Sequence, residues 1–359
     1  AQGHLKILGL WEGSVIYNIF NPGKLPNLFP IIQKGADTVG FHGMEYNLLA
    51  LTRFIADYFG HSITVIKFVP LTYAFITLIL LYIIVRRWFG WVAATISVSL
   101  LMTNQYFLIM SRELVASSTL ATMLLLFVIE RYQKLETKST KWTIISFAFV
   151  CAFAATNYIV VRLLMLAIIF IYMIDIETIN KNGITINNLM NKERIKTAGS
   201  VLITMVVFLF LFFPLNIIYL FNSNFIFPMT GEYATNTSNI ISSIFNNSLY
   251  IWNYFILGNG SIKYSTDLFV DIPYPLEDLF IFIIAVVGII YAIISIKNKK
   301  NIIMLYMTVL LIGMCLISDL KPDYQINMEI STSLNHYRMF SLTLFIAIFV
   351  AIGMQWLLQ

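Results

Sequence analysis

The sequence predicts an all-α fold, a polytopic bundle of about nine transmembrane helices, and three observations carry that expectation. Nine apolar stretches of near membrane-spanning length punctuate the chain. Apolar residues make up 59% and charged residues 11%, with a mean hydropathy of +0.80, which leaves too little polar surface to keep a water-soluble chain of 359 residues wet. The loops between the stretches also alternate in their density of basic residues. Hydrocarbon offers an unpaired backbone no partner, so each stretch is expected to be helical.

In chain order, residues 1–63 form a first region, too polar to cross a bilayer and too apolar for a free loop, and are expected to lie on the external membrane surface. Glu12 to Phe20 reads as a short amphipathic segment ended by Asn21-Pro22-Gly23. Residues 44–59 set Leu48, Leu49, Leu51, Phe54, Ile55 and Tyr58 on one side of a helix and Asn47, Arg53 and Asp57 on the other, the pattern of an interfacial helix. The second region, 64–359, is the transmembrane domain. Spans are expected near 64–85, 91–110, 114–130, 142–157, 158–175, 198–220, 279–296, 302–318 and 339–357. The fourth and fifth are short and joined by only Asn157 and Tyr158, so a re-entrant pair or one broken helix is the alternative. The external loop 221–278 carries Tyr250, Trp252, Tyr254 and Phe255, which predict a second interfacial helix, and Asp271-Ile272-Pro273-Tyr274-Pro275 turns the chain back toward the membrane. Asn-X-Ser triplets at 236–238, 246–248 and 259–261 match the glycosylation acceptor pattern, which chance largely explains in a chain so rich in Asn.

Charge gives the orientation. The loops on one side carry thirteen basic residues, Arg86, Arg87, Arg131, Lys134, Lys297 and Lys299 among them, against five acidic ones, a net of +8; the rest of the chain has ten against thirteen, a net of −3. The basic side is expected to be cytoplasmic, in a plasma, inner or endoplasmic reticulum membrane, with the N-terminus of the chain external or lumenal. An N-terminus outside implies one more span ahead of Ala1, and a further part is expected beyond Gln359. The isoelectric point near 9.0 then reflects topology and contact with anionic lipid, with no nucleic acid as partner. Cys151 and Cys315 both sit in apolar runs, which excludes a disulfide framework. The four histidines, at 4, 42, 61 and 336, show no metal-ligand spacing.

Charges are scarce enough that those gathered on the external side need an account: Glu12, His42, Glu45, Arg112, Glu113, Arg162, His336 and Arg338. Arg112 and Glu113 are adjacent at a turn between spans, where they either cap that turn as an ion pair or serve a ligand. Arg162 lies several residues inside an apolar run, which calls for snorkelling or an anionic partner. His336-Tyr337-Arg338 opens the last span as a basic, aromatic fork suited to a phosphate at the bilayer surface, or as an ordinary interface anchor. Glu12 could act as a general base or bind a cation.

The order of these motifs resembles that of the polyprenyl-phosphate-sugar-dependent glycosyltransferases of the C-type membrane fold, the family of protein O-mannosyltransferases and lipid A aminoarabinose transferases. An external loop with an acidic pair followed by Tyr corresponds to Trp11-Glu12-Gly13-Ser14-Val15-Ile16-Tyr17. A His-containing stretch before an amphipathic helix corresponds to Phe41-His42-Gly43-Met44-Glu45-Tyr46, and a basic, aromatic, Gly turn to Arg86-Arg87-Trp88-Phe89-Gly90. The external Ser-Arg-Glu triplet is Ser111-Arg112-Glu113, and the pair opening a late span is matched by His336-Tyr337-Arg338. The resemblance covers residues 9 to 357 and lies mostly in motif order and topology. Two positions depart from it: Trp11 stands where the family has its first acidic residue, and Ser117 where it has an Asp.

The resemblance implies an inverting glycosyltransferase that moves a sugar from a polyprenyl-phosphate donor to a protein or glycolipid acceptor at the external face. Glu12 is expected to be the catalytic base, with Glu45 as its substitute. Arg112, Glu113, Arg162, His336, Tyr337, Arg338 and His42 are expected to bind the donor and its phosphate. No cofactor is required; a divalent cation is compatible. The two departures also admit a non-catalytic subunit that binds lipid or packs within a larger membrane complex.

Overall fold

The structure, a computed structural model, describes residues 55, 57–60, 62–104, 107–108, 111, 119–157, 159–175, 191–212, 244–245, 248, 261–263, 269–271, 275–317 and 328–358. Among these the chain forms nine long helices: α1 (Ile63–Phe89), α2 (Trp91–Thr103), α3 (Ala121–Thr137), α4 (Lys141–Ala155), α5 (Ile159–Met173), α6 (Lys192–Phe212), α7 (Pro275–Ile294), α8 (Lys299–Ile317) and α9 (Met328–Leu357). The helical fold class holds with one addition, a two-stranded antiparallel ribbon of β1 (Ser261–Lys263) and β2 (Phe269–Asp271), with Ser261 opposite Asp271. Of the interfacial helix expected over 44–59, residues 55 and 57–59 are described and helical. Among the described residues two helical segments, Lys67–Phe89 and Lys192–Phe212, are long and apolar enough to cross a membrane; α2, α4, α5 and the apolar parts of α7 and α9 are shorter.

Local chemistry explains where the helices start and stop. Ser62 caps α1 by accepting from the Val65 amide at 3.2 Å. Gly90 ends α1 at φ +94, a backbone that few other residues adopt, and its carbonyl then accepts the Ala94 amide to open α2, so the two helices fold back on each other. Thr140 and Thr143 form a reciprocal capping box at the start of α4. The span expected over 91–110 stops at Thr103, because Asn104 leaves the helix and its side chain accepts from the Phe107 amide at 2.9 Å, starting a new turn. The helix described where a span was expected over 114–130, α3, runs on past that stretch to Thr137. In its last two turns Glu130, Gln133 and Glu136 meet protein partners, which a reading by hydropathy alone does not register.

The bundle is organised around α3 and α9. α3 packs against α1, α4, α5 and α9, and α9 against α1, α2, α3, α7, α8 and the ribbon. Leu344, Phe345 and Phe349 of α9 and Leu125, Leu126 and Val128 of α3 are fully enclosed. The outermost helix, α6, rests on α4 and α5. The outward faces are apolar: on α1, Phe68, Leu71, Phe75 and Ile79 recur at helical spacing and all are exposed. Polar groups are turned inward instead. Thr77, Ser97 and Thr308 are buried, and each hydroxyl donates to a carbonyl one turn back in its own helix.

α7 and α9 meet backbone to backbone. A Cβ on Gly288 would lie 1.9 Å from the Phe349 carbonyl oxygen, and one on Gly353 would lie 2.4 Å from that of Ile284. Small residues of this kind let helix axes approach closely where no water-driven force holds them together. Gly288→Ala and Gly353→Ala are each expected to destabilise the detergent-solubilised protein by about 1–3 kcal/mol, because the obstacle is backbone and cannot rotate away. Gly199→Ala, on α6 with nothing within 4 Å of the added methyl, is expected to be neutral or to stabilise. Thermal unfolding of the three variants side by side provides the measurement.

Candidate functional site

Of the residues that sequence reasoning singled out, Glu12, His42, Glu45, Arg112 and Glu113 lie outside the described residues. His336, Tyr337 and Arg338 lie on α9, three to five residues before Ser341. Arg162 is in the first turn of α5, at the end of the bundle expected to be external.

α3 begins at this end, α4 finishes here, and α5 leaves it after the Thr156–Asn157 turn. That turn is held by amides of Thr156 and Asn157 donating to the carbonyls of Phe153 and Ala154. The Arg162 Nε donates to the Asn157 carbonyl at 2.6 Å, which ties the half-buried guanidinium to the turn. Asn157 is fully buried, and neither polar atom of its side chain has a hydrogen-bond partner. At the start of α3, Thr119 is likewise fully buried with its hydroxyl unpaired. One turn on, the Thr122 and Ser341 hydroxyls meet at 3.3 Å, both buried, and join α3 to α9. An unpaired buried amide costs about 1–3 kcal/mol, so Asn157 and Thr119 stand out as enclosed polar side chains without partners, at the turn that carries Arg162 and just before α3. Sequence reasoning found Arg162 from its charge in an apolar run but missed Asn157, Thr119, Thr122 and Ser341. The available signal was small polar residues placed at or near the ends of apolar stretches.

The opposite, basic end holds a denser ionic cluster. Glu136 of α3 accepts from Arg194 of α6 at 2.6 Å and from Lys299 of α8 at 2.9 Å, both through Oε1. Arg194 lies 5.5 Å from the centre of the Tyr172 ring, and Lys299 lies 5.9 Å from those of Tyr132 and Tyr172, which stand edge to face. Asp175 accepts from Asn191 at 3.2 Å and adds negative charge nearby. Burial pushes the Glu136 carboxyl up, but the neighbouring Tyr132 hydroxyl and the Lys299 and Arg194 cations outweigh it and hold the group below the usual carboxylate value. Burial lowers the Lys299 ammonium, with Glu136 opposing. Lys300 donates to the Trp88 carbonyl and lies 4.8 Å from the centre of the Phe89 ring, closing the C-terminal end of α1 with a cation. With its carboxylate claimed by two cations, this cluster is a tie between helices rather than a reactive group.

Glu136 has its lowered value only in the fold, so its contribution to stability is present above about pH 4.5, the ordinary carboxylate value, and is lost as the pH falls below it. The melting temperature is therefore expected to hold from neutral pH to about 5 and then to drop. Glu136→Gln is expected to flatten that acid limb and to cost about 1–3 kcal/mol at neutral pH, less than a fully buried pair would, because the group is partly exposed. A melting series between about pH 3.5 and 7.5 on both proteins tests this.

No family model matches this chain, nor does any curated protein or solved structure, and its function is read from its residues and geometry alone.

Proposed function

We propose that the chain is an integral membrane protein of about nine spans and an inverting glycosyltransferase, transferring a sugar from a polyprenyl-phosphate donor to a protein or glycolipid acceptor at the external face. The membrane half is supported by the inverted polarity of the bundle, with apolar faces outside and hydroxyls, an amide and carboxylates within. The observation that supports the transferase half is the Arg162 guanidinium held at the Asn157 turn, with the enclosed, unpaired side chains of Asn157 and Thr119 at the ends of apolar helices. In sequence Ser111-Arg112-Glu113 precedes α3, and the Thr122–Ser341 contact joins α3 to α9, the helix that bears His336-Tyr337-Arg338.

In this reading Glu12 takes the proton of the acceptor hydroxyl as its oxygen attacks the anomeric carbon, with Glu45 as substitute. The bond from that carbon to the phosphate oxygen breaks in the same displacement, which inverts the centre. Arg112, Arg162 and Arg338 stabilise the charge on the departing polyprenyl phosphate; Glu113 orients Arg112, and His42, His336 and Tyr337 supply further donors. Trp11 and Ser117, where the similar family carries acidic residues, favour a second reading: a subunit that binds the lipid without turning it over.

Glu12→Gln is expected to lower transfer from a polyprenyl-phosphate sugar by about a hundredfold or more while leaving donor binding intact. Arg338→Ala is expected to weaken donor binding itself, since it deletes a charge-assisted contact present before reaction. Absence of transfer by the full-length protein, with donor binding retained, selects the non-catalytic subunit. Topology is checked by thiol labelling in sealed vesicles: Lys297→Cys should react only from the cytoplasmic side and Asn247→Cys only from outside, and the reverse pattern would refute the orientation.

A further inference from the structure

A second group of charges at the basic end is unbalanced. Glu130 of α3, with its side chain 6% exposed, gathers three cations: Arg87 through Nη1, Arg131 through Nε and Lys134 through Nζ, each at 3.0 Å. Gln133 steadies the arrangement, accepting from Arg87 at 3.4 Å and donating to the Ile84 carbonyl at 3.2 Å. One carboxylate thus holds three positive side chains in fixed positions, leaving an excess charge of +2. The cations stay 30–42% exposed on their outer sides, while Glu130 faces inward. The other nearby carboxylate on α3, Glu136, is already claimed by Arg194 and Lys299. A group built only to neutralise itself would not fix two surplus cations, each losing side-chain entropy, with their open sides outward.

The level of the group in the fold says what meets it. Trp91 opens α2 and Trp142 opens α4 at this same end, and their indoles are 67% and 79% exposed. Exposed indoles of this kind mark the headgroup layer of a bilayer, so the fan of cations lies where lipid phosphates lie. We propose that Arg87, Arg131 and Lys134, preset by Glu130, form a binding site for the phosphate of an anionic phospholipid headgroup on the basic face. This site is separate from Arg162 and the other residues of the transferase reading and needs only the membrane half of the reading above, not the transferase activity.

The test uses the full chain in detergent, following thermal unfolding while phosphatidylglycerol or phosphatidylcholine is titrated in. A saturable rise in melting temperature is expected with phosphatidylglycerol alone, weakened at about 0.5 M salt. Arg131→Gln with Lys134→Gln should raise the half-saturating lipid concentration at least about tenfold, at about 1 kcal/mol per cation near the surface. Lys134→Gln alone, the milder change, should raise it severalfold and serves if the double variant does not fold. Lys196→Gln, whose ammonium pairs with the exposed Glu193, should leave it unchanged. Equal stabilisation by the zwitterionic lipid, an unaltered response in Lys134→Gln and the double variant, or the same saturable rise with inorganic phosphate alone overturns the lipid site. Release of the protein from membranes by alkaline carbonate would instead sink the membrane reading itself, whereas retention together with indifference to phosphatidylglycerol sinks only this site.

Discussion

α3 is walled in by four other helices, yet its last two turns carry Glu130, Arg131, Gln133, Lys134 and Glu136, and the bundle depends on how that polarity is satisfied. Each carboxylate reaches out to a different neighbour: Glu130 to α1 through Arg87, Glu136 to α6 and α8 through Arg194 and Lys299. Such contacts add little net energy over an apolar core of equal volume, because desolvation cancels most of the attraction, but losing one partner leaves a charge stranded. Their effect is therefore on arrangement. Glu130 also has Arg131 and Lys134 of its own helix, whereas Glu136 finds its cations only on α6 and α8, so the packing of those two helices around the C-terminal end of α3 is what keeps that carboxylate paired.

That dependence also explains what could be read from the residues and what could not. Nine apolar stretches predicted nine helices at nearly the right places, because a long apolar run surrounded by polar turns has few other folds open to it. Where boundaries moved, a specific contact moved them. Asn104 stopped α2 by offering its side chain to the Phe107 amide, and α3 continues past residue 130, where Glu130 and Glu136 find cations on α1, α6 and α8. Glu130, Arg131 and Lys134 looked like loop charges, since nothing in their spacing shows that Arg87, more than forty positions earlier, would face them.

The surroundings of Arg162 were legible to a different degree. Arg162 stood out because a guanidinium in an apolar run is costly and needs a reason, whereas one of its partners is a backbone carbonyl, invisible to any reading of side-chain types. Asn157 looked like a linker, and only burial with both amide atoms unpaired gives it meaning. The motifs at 111–113 and 336–338 could be ordered along the chain, whereas the contact of α3 with α9 through Thr122 and Ser341 spans 219 positions, a distance in sequence that no local pattern covers.

The glycine contact between α7 and α9 bears on motion. With the carbonyl of Phe349 set where a Gly288 side chain would stand, and that of Ile284 where one on Gly353 would, the two helices have no side chain to re-rotamerise at these two points, and a sliding motion there meets backbone. If a long-chain lipid slips sideways into the bundle, α7 and α9 are not the leaves that part for it. On its other flank α9 packs closely on α2 and meets α3 through the Thr122 and Ser341 hydroxyls at 3.3 Å. The helix that bears the predicted phosphate fork is thereby anchored on its α7 side.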